Sequence, residues 1–337
     1  MKLLIAICLV LSINTLVPAK ATAQASGYRI DRTFHIASAG GWDYLAVNGN
    51  KLYVSHGTQV NILDKTSGDS IGIIPNTTGV HGIAFIPAKG KGYTSNGKLN
   101  NITVFDLTNG AVLSQIPTGQ NPDAILYDSH VDRIITCNGR SNDLTVVDPS
   151  TEKTVATIPV GGKPETAVSD GAGKLFVNIE DKNEIVVINL HTNTVQGRWP
   201  LAPAEGPTGL AYDAVKKRLF AGCDKLLVVM DAISGRIIDK ITIGDGCDGV
   251  AYDADRNMIF TSNGEGTMSV IKEKSANSYE VVENMKTKKG ARTITIDNST
   301  HILYLPTADY GPAVQGQRPP MIPGTFQVLV VMKSEKS

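Results

Sequence analysis

Seven near-copies of one segment of about forty residues fill almost the whole of this 337-residue chain. Each copy opens with a short apolar stretch in which a polar or charged residue stands second. The first residues of the seven copies are Trp42, Val80, Pro122, Pro164, Pro207, Cys247 and Ala291. The shortest spacing is 38 residues, from Trp42 to Val80, and the longest is 44, from Cys247 to Ala291. Repeats of this length with several short strands each are typical of β-propeller blades, so the sequence predicts an all-β fold with seven blades.

Each copy also carries the pattern of a small antiparallel sheet. In the second copy, apolar stretches at 83–86, 92–95, 99–106 and 111–116 are separated by turns rich in glycine, asparagine, aspartate and proline. Four stretches per copy predict a four-stranded antiparallel blade, with the first, alanine-rich strand innermost. The third stretch of four copies ends in an aspartate that we expect to bond the amides of the following turn, and these residues are Asp64, Asp106, Asp148 and Asp231.

The seventh copy lacks a fourth strand, and the beginning of the chain supplies a candidate. Residues 28–36 resemble the fourth stretches of other copies, such as 155–159. Pairing of 28–36 with 328–331 would close the ring and remove two open sheet edges. The sequence therefore predicts that the N-terminal strand completes the last blade.

Residues 1–25 have the features of a secretory signal peptide. Lys2 precedes an apolar run from Leu3 to Leu11, and the small-residue stretch 21–25 offers a cleavage site. The run is shorter than the roughly 20 residues that cross a bilayer. We expect a periplasmic or secreted protein whose mature chain, 26–337, is one propeller domain without a membrane span. The formal net charge of +0 lacks the basic field that nucleic-acid binding uses, which makes nucleic acid an unfavoured partner.

The repeat resembles a known family. Its copies share P-x-G-[L/I/V]-A-[Y/V]-D, Y-V-x-N, V-x-V-[I/F]-D-x-x-T-G and V-x-x-I-P-V-G, a combination similar to the YVTN-type propeller repeats, often called YncE-like proteins. The resemblance covers about 28–334 and implies the propeller fold. It implies no single function, because binding proteins, lyases, lactonases and redox enzymes share this scaffold. The chain departs from Y-V-x-N at 53–56 and at 220–223, where it reads YVSH and FAGC.

Two positions of every copy are expected to face the central funnel, where the seven inner strands meet. The start of the first strand contributes Asp43, His81, Asp123, Glu165, Thr208, Asp248 and Arg292. The end of the second strand contributes His56, Asn96, Asn138, Ile179, Cys223, Asn263 and Thr307. Polar groups gathered around one axis need water or a ligand, so the funnel is predicted to be either water-filled or a ligand site. The predicted ligand-binding residues are Trp42, Asp43, His81, Asn96, Asp123, Asn138, Arg140, Glu165, Asp248, Asn263 and Arg292.

The histidines and acids of these two sets also suit chemistry. Asp43, His56 and His81 come from adjacent copies and form a ligand set suitable for a divalent metal, the one cofactor that the sequence suggests. His56, His81 and Glu165 are the candidates for a catalytic proton carrier.

Arginines and cysteines offer two further alternatives. Arg292, together with Arg140 and Arg318 from loops, could clamp a carboxylate or a phosphate. Cys223 and Cys247 stand at the ends of neighbouring copies and could form a disulfide if their Cα atoms come within about 7 Å. The long connection 310–324 in the last copy belongs on the same face, either as a partial lid or as a loop without function.

These observations predict an exported propeller that binds a small polar or anionic molecule, or a protein partner, at its funnel. The alternative is an enzyme on the same face, a lactonase-like hydrolase or a lyase, with or without a metal. Whether the protein is an enzyme is left open by the sequence.

Overall fold

The structure is a computed structural model that describes residues 27–312 and 319–334. Within these residues, 28 strands form seven four-stranded antiparallel sheets. The predicted all-β, seven-bladed propeller with four-stranded antiparallel blades is therefore confirmed. The signal peptide predicted at 1–25 and Arg318 lie outside the described residues.

The first three blades follow the chain from their inner to their outer strands. Blade one contains β2 (Trp42–Asn48), β3 (Lys51–His56), β4 (Gln59–Asp64) and β5 (Ser70–Ile74). Blade two contains β6 (Val80–Ile86), β7 (Lys91–Asn96), β8 (Asn101–Asp106) and β9 (Val112–Pro117). Blade three contains β10 (Pro122–Asp128), β11 (Arg133–Asn138), β12 (Asp143–Asp148) and β13 (Lys153–Pro159).

The next three blades repeat this order. Blade four contains β14 (Pro164–Ser169), β15 (Lys174–Ile179), β16 (Glu184–Asn189) and β17 (Thr194–Pro200). Blade five contains β18 (Leu210–Asp213), β19 (Arg218–Cys223), β20 (Leu226–Asp231) and β21 (Ile237–Thr242). Blade six contains β22 (Cys247–Asp253), β23 (Met258–Asn263), β24 (Thr267–Ser275) and β25 (Ser278–Lys286). Two short 3-10 turns are present, at Pro87–Lys89 between the inner and second strands of blade two and at Glu180–Lys182 between the second and third strands of blade four.

Blade seven is assembled from both ends of the chain. Its order from the inside is β26 (Thr295–Asp297), β27 (Ile302–Thr307), β28 (Gln327–Lys333) and β1 (Tyr28–His35). Strand β1 pairs antiparallel with β28 from Tyr28 opposite Lys333 to His35 opposite Gln327. The predicted closure by the N-terminal strand agrees with this pairing.

The hydrophobic core lies between the blades rather than inside any one of them. Seven apolar clusters of described residues each draw side chains from two neighbouring blades, one cluster for each of the seven junctions. Large side chains such as Tyr53, Tyr93 and Tyr304 are fully buried there. Because a blade alone leaves both sheet faces in water, the blades are stable only as a ring.

The predicted aspartate turns are present on the outer part of the blades. The Oδ1 atom of Asp64 accepts hydrogen bonds from the backbone N–H of Thr66 at 2.8 Å and of Ser67 at 2.9 Å. The same pattern recurs at Asp106, Asp148 and Asp231. These four carboxylates are therefore turn-makers. No helix of the described residues is long and apolar enough to cross a membrane.

Closure of the ring can be tested at Phe34 of β1. This side chain is 4% exposed and packs in the cluster between blades seven and one. We expect Phe34→Ala to lower the free energy of unfolding by about 3–5 kcal/mol, because burial is lost and a cavity remains. The matched control is Ile30→Ala on the same strand, where the side chain is 37% exposed and the loss should be about 1 kcal/mol or less. Denaturant titration measures both, and equal losses would contradict closure by β1.

Candidate functional site

A bulge at the start of the inner strands turns the polar residues of the first set into the funnel. In blade one, Trp42 pairs with His56 and Leu45 with Val54, so Asp43 and Tyr44 together oppose only one residue. Corresponding register shifts occur in blades two, three, four and six. Such a bulge re-aims a side chain at the cost of a ladder bond. The backbone N–H of Asp43 donates instead to the hydroxyl of Ser55 at 3.1 Å.

Three funnel residues from blades one, two and three form one cluster. The Nδ1 of His81 lies 2.6 Å from Oδ2 of Asp43 and 3.7 Å from Oδ1 of Asp123. One ligand atom from each residue can be chosen so that all three lie within 4.8 Å of one another. The Oδ1 of Asp123 is buried and receives no hydrogen bond from the described residues. This trio, the acid–histidine cluster, contains an unsatisfied acceptor.

The charges of the acid–histidine cluster perturb one another. Burial, followed by the negative charge of Asp43, raises the pKa of Asp123 to about 7. Burial lowers the pKa of His81, but the hydrogen bond to Asp43 and the charges of both carboxylates outweigh it, so that pKa is raised. Two half-buried carboxylates therefore lie beside one imidazole.

Arg292 and Asp248, from blades seven and six, form a second group beside this cluster. The Nε of Arg292 donates to Oδ2 of Asp248 at 2.7 Å, and Nη2 donates to the carbonyl oxygen of Trp42 at 3.2 Å. The guanidinium also lies 6.0 Å from the centre of the Trp42 ring, and Nη2 is 3.6 Å from Oδ1 of Asp43. No hydrogen bond from Nη1 is present among the described residues. Arg292 is thus held rigidly with one donor group available.

Glu165 of blade four is engaged by a neighbour in its own blade. The Nζ of Lys163 lies 2.5 Å from Oε1 of Glu165 and also contacts Glu180. Burial, with a further contribution from the charge of Asp123, raises the pKa of Glu165 above its ordinary value, although Lys163 acts in the opposite direction. Glu165 therefore tends to retain a proton near neutral pH.

Tyr44 is a large side chain at a position where the other six copies have small ones. The equivalent residues are Gly82, Ala124, Thr166, Gly209, Gly249 and Thr293. Burial raises the pKa of Tyr44 well above its ordinary value, and the charges of funnel acids from blades three, one, six and four add to it. The neutral phenol thus lies among the carboxylates of the funnel.

The three predicted asparagines are placed in the second strands but their side chains bind within their own blades. The Oδ1 of Asn138 accepts from the hydroxyl of Thr136 at 2.9 Å, while Nδ2 donates to Asp143 at 2.7 Å and Thr145 at 2.8 Å. Asn96 and Asn263 repeat this arrangement, and all three are fully buried. The side chains of Asn96, Asn138 and Asn263 thus link the second and third strands of their blades, and their role in ligand binding stays a prediction.

His56, expected to bind metal or carry protons, is also occupied by its surroundings. Its Nδ1 lies 2.6 Å from the hydroxyl of Ser38 and its Nε2 lies 2.8 Å from the carbonyl oxygen of Gly40. The ring stacks on Phe326 with centroids 3.9 Å apart. Both ring nitrogens of His56 therefore have partners. The residue that lies beside Asp43 and His81 is Asp123 and not His56.

The remaining predicted residues are separate from the cluster. Arg140 is exposed and makes no side-chain contact that joins it to the funnel acids. Trp42 is buried and stacks on Phe326 at 5.3 Å. Cys223 and Cys247 are buried free thiols, so the structure contains no disulfide between them. Burial raises the pKa of both thiols.

An open cavity of about 710 Å³ adjoins Arg292 on the side of blades four to seven. Its charged and polar lining consists of Glu180, Thr208, Asp224, Asp248, Lys289 and Arg292, and Tyr310 and Pro319 come from the long connection of blade seven. The sequence had suggested Asp248, Thr208 and Arg292 as funnel residues, and it had placed the connection that carries Tyr310 on the same face. It missed Lys289, Glu180 and Asp224, which also line the cavity. It also missed Tyr44, which an alignment of the seven copies would have shown as the one large residue at its position.

Comparison with known proteins supports the fold and leaves the function open. No protein-family model matches the sequence, and no curated protein matches it. Many solved structures match the fold, and one is titled Kuenenia stuttgartiensis hydrazine synthase. The TM-score is 0.71, with 13% identity over 80% of this chain and 94% of that chain. The chain is thus a seven-bladed β-propeller, and its membership of the YVTN-type family stays a prediction.

The raised pKa of Asp123 predicts an unusual dependence of stability on pH. The folded carboxyl retains its proton up to about pH 7, whereas the unfolded one releases it near pH 3.9. The folded state therefore binds more protons between these values, and Asp123 lowers stability progressively as the pH rises through this window. We expect Asp123→Asn to gain stability relative to the parent between pH 4 and pH 7, by up to about 4 kcal/mol.

Denaturant titrations in the presence of a chelator measure this difference at each pH. The control is Asp69→Asn, the same substitution at an exposed residue in the outer turn of blade one, against which the pH dependence of Asp123→Asn is compared. If the free energy of unfolding changes with pH in the same way for Asp123→Asn and the parent, the raised pKa of Asp123 is contradicted.

A thiol count tests the cysteines. In a protein produced from residue 26, three cysteines remain, namely Cys137, Cys223 and Cys247, and all are buried and free. We expect almost no reaction of the native protein with an aromatic disulfide reagent and three reactive thiols after unfolding without reductant. A count of one would mean that two of them are bridged.

Proposed function

We propose that the protein binds a small polar molecule with an anionic group in the cavity over blades four to seven. The observation that carries this proposal is an open volume of about 710 Å³ with two cationic side chains, Arg292 and Lys289, at its wall. This volume lies within the roughly 300–1,000 Å³ of sites that hold small molecules.

Arg292 supports this proposal through its orientation. Its Nε and Nη2 groups are bound by Asp248 and by the carbonyl of Trp42, which fixes the plane of the guanidinium. Its side chain is 36% exposed, and the Nη1 donor has no hydrogen bond to the described residues. A preoriented guanidinium loses little side-chain entropy when it binds a carboxylate.

Lys289 supplies a second positive charge that the described residues do not neutralise. Its neighbour Lys288 is paired with Asp309 at 2.5 Å, whereas Lys289 is exposed and has no ion pair among the described residues. The hydroxyl-bearing ring of Tyr310 lines the same cavity. Together, Lys289, Tyr310 and Arg292 form a wall of donors for an anionic group.

The acidic residues and the glycines of the lining favour a ligand that is polar as well as anionic. Glu180, Asp224 and Asp248 line the cavity and can accept hydrogen bonds from hydroxyl or amino groups. Gly206, Gly246, Gly264 and Gly290 also line it, so no side chain from these four positions fills the space. A hydroxy acid or an amino acid has the required combination of anionic and donor groups.

The predicted export of the protein and its predicted family are both compatible with this proposal. The signal sequence expected at 1–25 would deliver the propeller to the periplasm or the outside, where small polar solutes are met in free form. The YVTN-type resemblance is compatible with ligand binding. A protein partner at the funnel face and a lactonase-like hydrolase or lyase activity remain the alternatives that the sequence suggested.

A ligand panel with one substitution tests the site. Sodium salts of hydroxy acids, amino acids and sugar phosphates are screened by thermal shift. We expect at least one of these classes to raise the melting temperature of the parent protein. Lys289→Ala should weaken the binding of that ligand by about tenfold, because one charge-assisted hydrogen bond is lost. Titration calorimetry measures the affinities.

The control is Arg140→Ala, which removes an exposed arginine that does not line the cavity and should leave the affinity unchanged. If no anion of the panel binds, or if Lys289→Ala and the parent bind it equally, the cavity is not an anion site.

A further inference from the structure

We propose that Asp43, His81 and Asp123 bind one divalent transition-metal ion in the central funnel. The three ligands come from the same bulged position of three consecutive blades, one, two and three. None of them lines the cavity described above, so the metal site and the proposed ligand site are neighbours with separate residues.

The spacing of the donor atoms is close to that of a metal-bound set. Two donors on a tetrahedral zinc ion, each about 2.0–2.2 Å from it, lie roughly 3.3–3.6 Å apart. The Nδ1 of His81 is 2.6 Å from Oδ2 of Asp43, which is shorter than that range, and 3.7 Å from Oδ1 of Asp123, which is close to it. One ligand atom from each of the three residues lies within 4.8 Å of the others, and an ion between them would lengthen the contact of His81 with Asp43.

The unsatisfied oxygen of Asp123 is an independent sign of a missing partner. Its Oδ1 is buried and accepts no hydrogen bond from the described residues. Buried polar atoms in folded proteins nearly always have a partner in the protein, in water or in an ion. This oxygen also lies 3.7 Å from Nδ1 of His81. A cation between Asp123 and His81 would supply that partner.

The charges around the cluster leave room for a cation. Asp248 takes the short contact with Arg292, whose nearest approach to Asp43 is 3.6 Å. Lys163 is paired with Glu165 and Glu180. Among the described residues, the ion-pair partner of Asp123 is the imidazole of His81, while Asp43 contacts both His81 and, at 3.6 Å, Arg292. A dication would offset the repulsion between the two carboxylates.

Packing fixes the histidine with Nδ1 towards the acids. Its Nε2 edge lies against Gly97, where a Cβ atom would come within 2.6 Å of Nε2. A residue larger than glycine at this position would displace the imidazole. The position of the ring is thus set before any metal arrives, which lowers the cost of ordering the ligand.

The donor types narrow the choice of metal. One imidazole and two carboxylates suit zinc, manganese or ferrous iron better than calcium, which prefers six to eight oxygens. Metal binding requires an unprotonated Nδ1, whereas in the described arrangement Nδ1 donates its proton to Asp43. If His81 is an imidazolium, metal binding releases this proton to solvent. If the ring is neutral, the proton moves from Nδ1 to Nε2.

A dependence of affinity on pH follows from this proton. The charged groups that face His81 are Asp43, Asp123 and, at greater distance, Arg292. The two carboxylates favour the imidazolium, so acid competes with the metal. Affinity should fall at least about fivefold from pH 8 to pH 6.

Metal titration of the protein itself tests the site. Protein without a histidine tag is treated with EDTA, dialysed and titrated with CoCl2, MnCl2 and ZnCl2 in a calorimeter. We expect one equivalent to bind, visible absorption bands to appear with cobalt, and the melting temperature to rise. His81→Asn should weaken binding at least about 100-fold.

A second variant covers the case in which His81→Asn does not fold. Asp123→Asn removes a ligand as well as the carboxylate repulsion, so it should lose metal binding while its metal-free melting temperature at pH 7 is equal to or higher than that of the parent. A merely structural role of Asp123 predicts the opposite change in stability.

Two controls separate this site from others. His301→Asn alters a second histidine–acid cluster, which His301 forms with Asp253 and Asp255. In that cluster Asp253 already binds the backbone of Arg256 and the ring of His301. The His301→Asn variant should therefore bind metal like the parent. Lys289→Ala should do the same, so failure of the anion proposal leaves this one standing. Absence of saturable 1:1 binding by the parent, or unchanged binding by both His81→Asn and Asp123→Asn, overturns the metal site.

Discussion

Apolar packing between neighbouring blades is the interaction on which the rest of this structure depends. Each of the seven junctions is filled by side chains from two sheets, and the fully buried Tyr53, Tyr93 and Tyr304 are among them. Because no blade can remove both of its faces from water, the free energy gained by burial is available only to the assembled ring. That ring holds seven inner strands at fixed positions around one axis, and it therefore fixes the distances between residues that are far apart in the chain.

Burial between the blades offsets an unfavourable arrangement at the axis. Asp43, Asp123, Glu165 and Asp248 converge there on bulged or strand-initial positions, with Arg292, Lys163 and His81 as counter-charges. Repelling carboxylates in a partly buried space cost stability unless protons or cations bind to them. Perturbed groups of this kind are typical of functional sites, although structural ion pairs can produce similar shifts. In this protein the unsatisfied oxygen of Asp123 and the free donor of Arg292 indicate where a partner is missing.

The sequence predicted the architecture well because repetition and strand patterns are local signals. The number of blades, the closing strand and the turn aspartates all follow from them. The direction of side chains at strand ends did not follow. Asn96, Asn138 and Asn263 were expected in the funnel, but a threonine two residues earlier and hydroxyls on the paired strand bind them. The cavity is lined by Tyr310 and Pro319 of the last connection together with loop residues that belong to other copies, and no single copy carries that information.

The division of blade seven between the two ends of the chain has a consequence for synthesis. Arg29 of β1 and Ser334, which contact each other in the folded protein, are 305 residues apart in sequence. At roughly 5–20 residues per second, tens of seconds separate the appearance of the two partners on the ribosome. During that interval the first strand has no neighbour and blade one lacks one flank of its apolar junction. The nascent chain is therefore expected to depend on chaperones until its last segment emerges. The N-terminal strand, although it is synthesised first, must be among the last strands to pair.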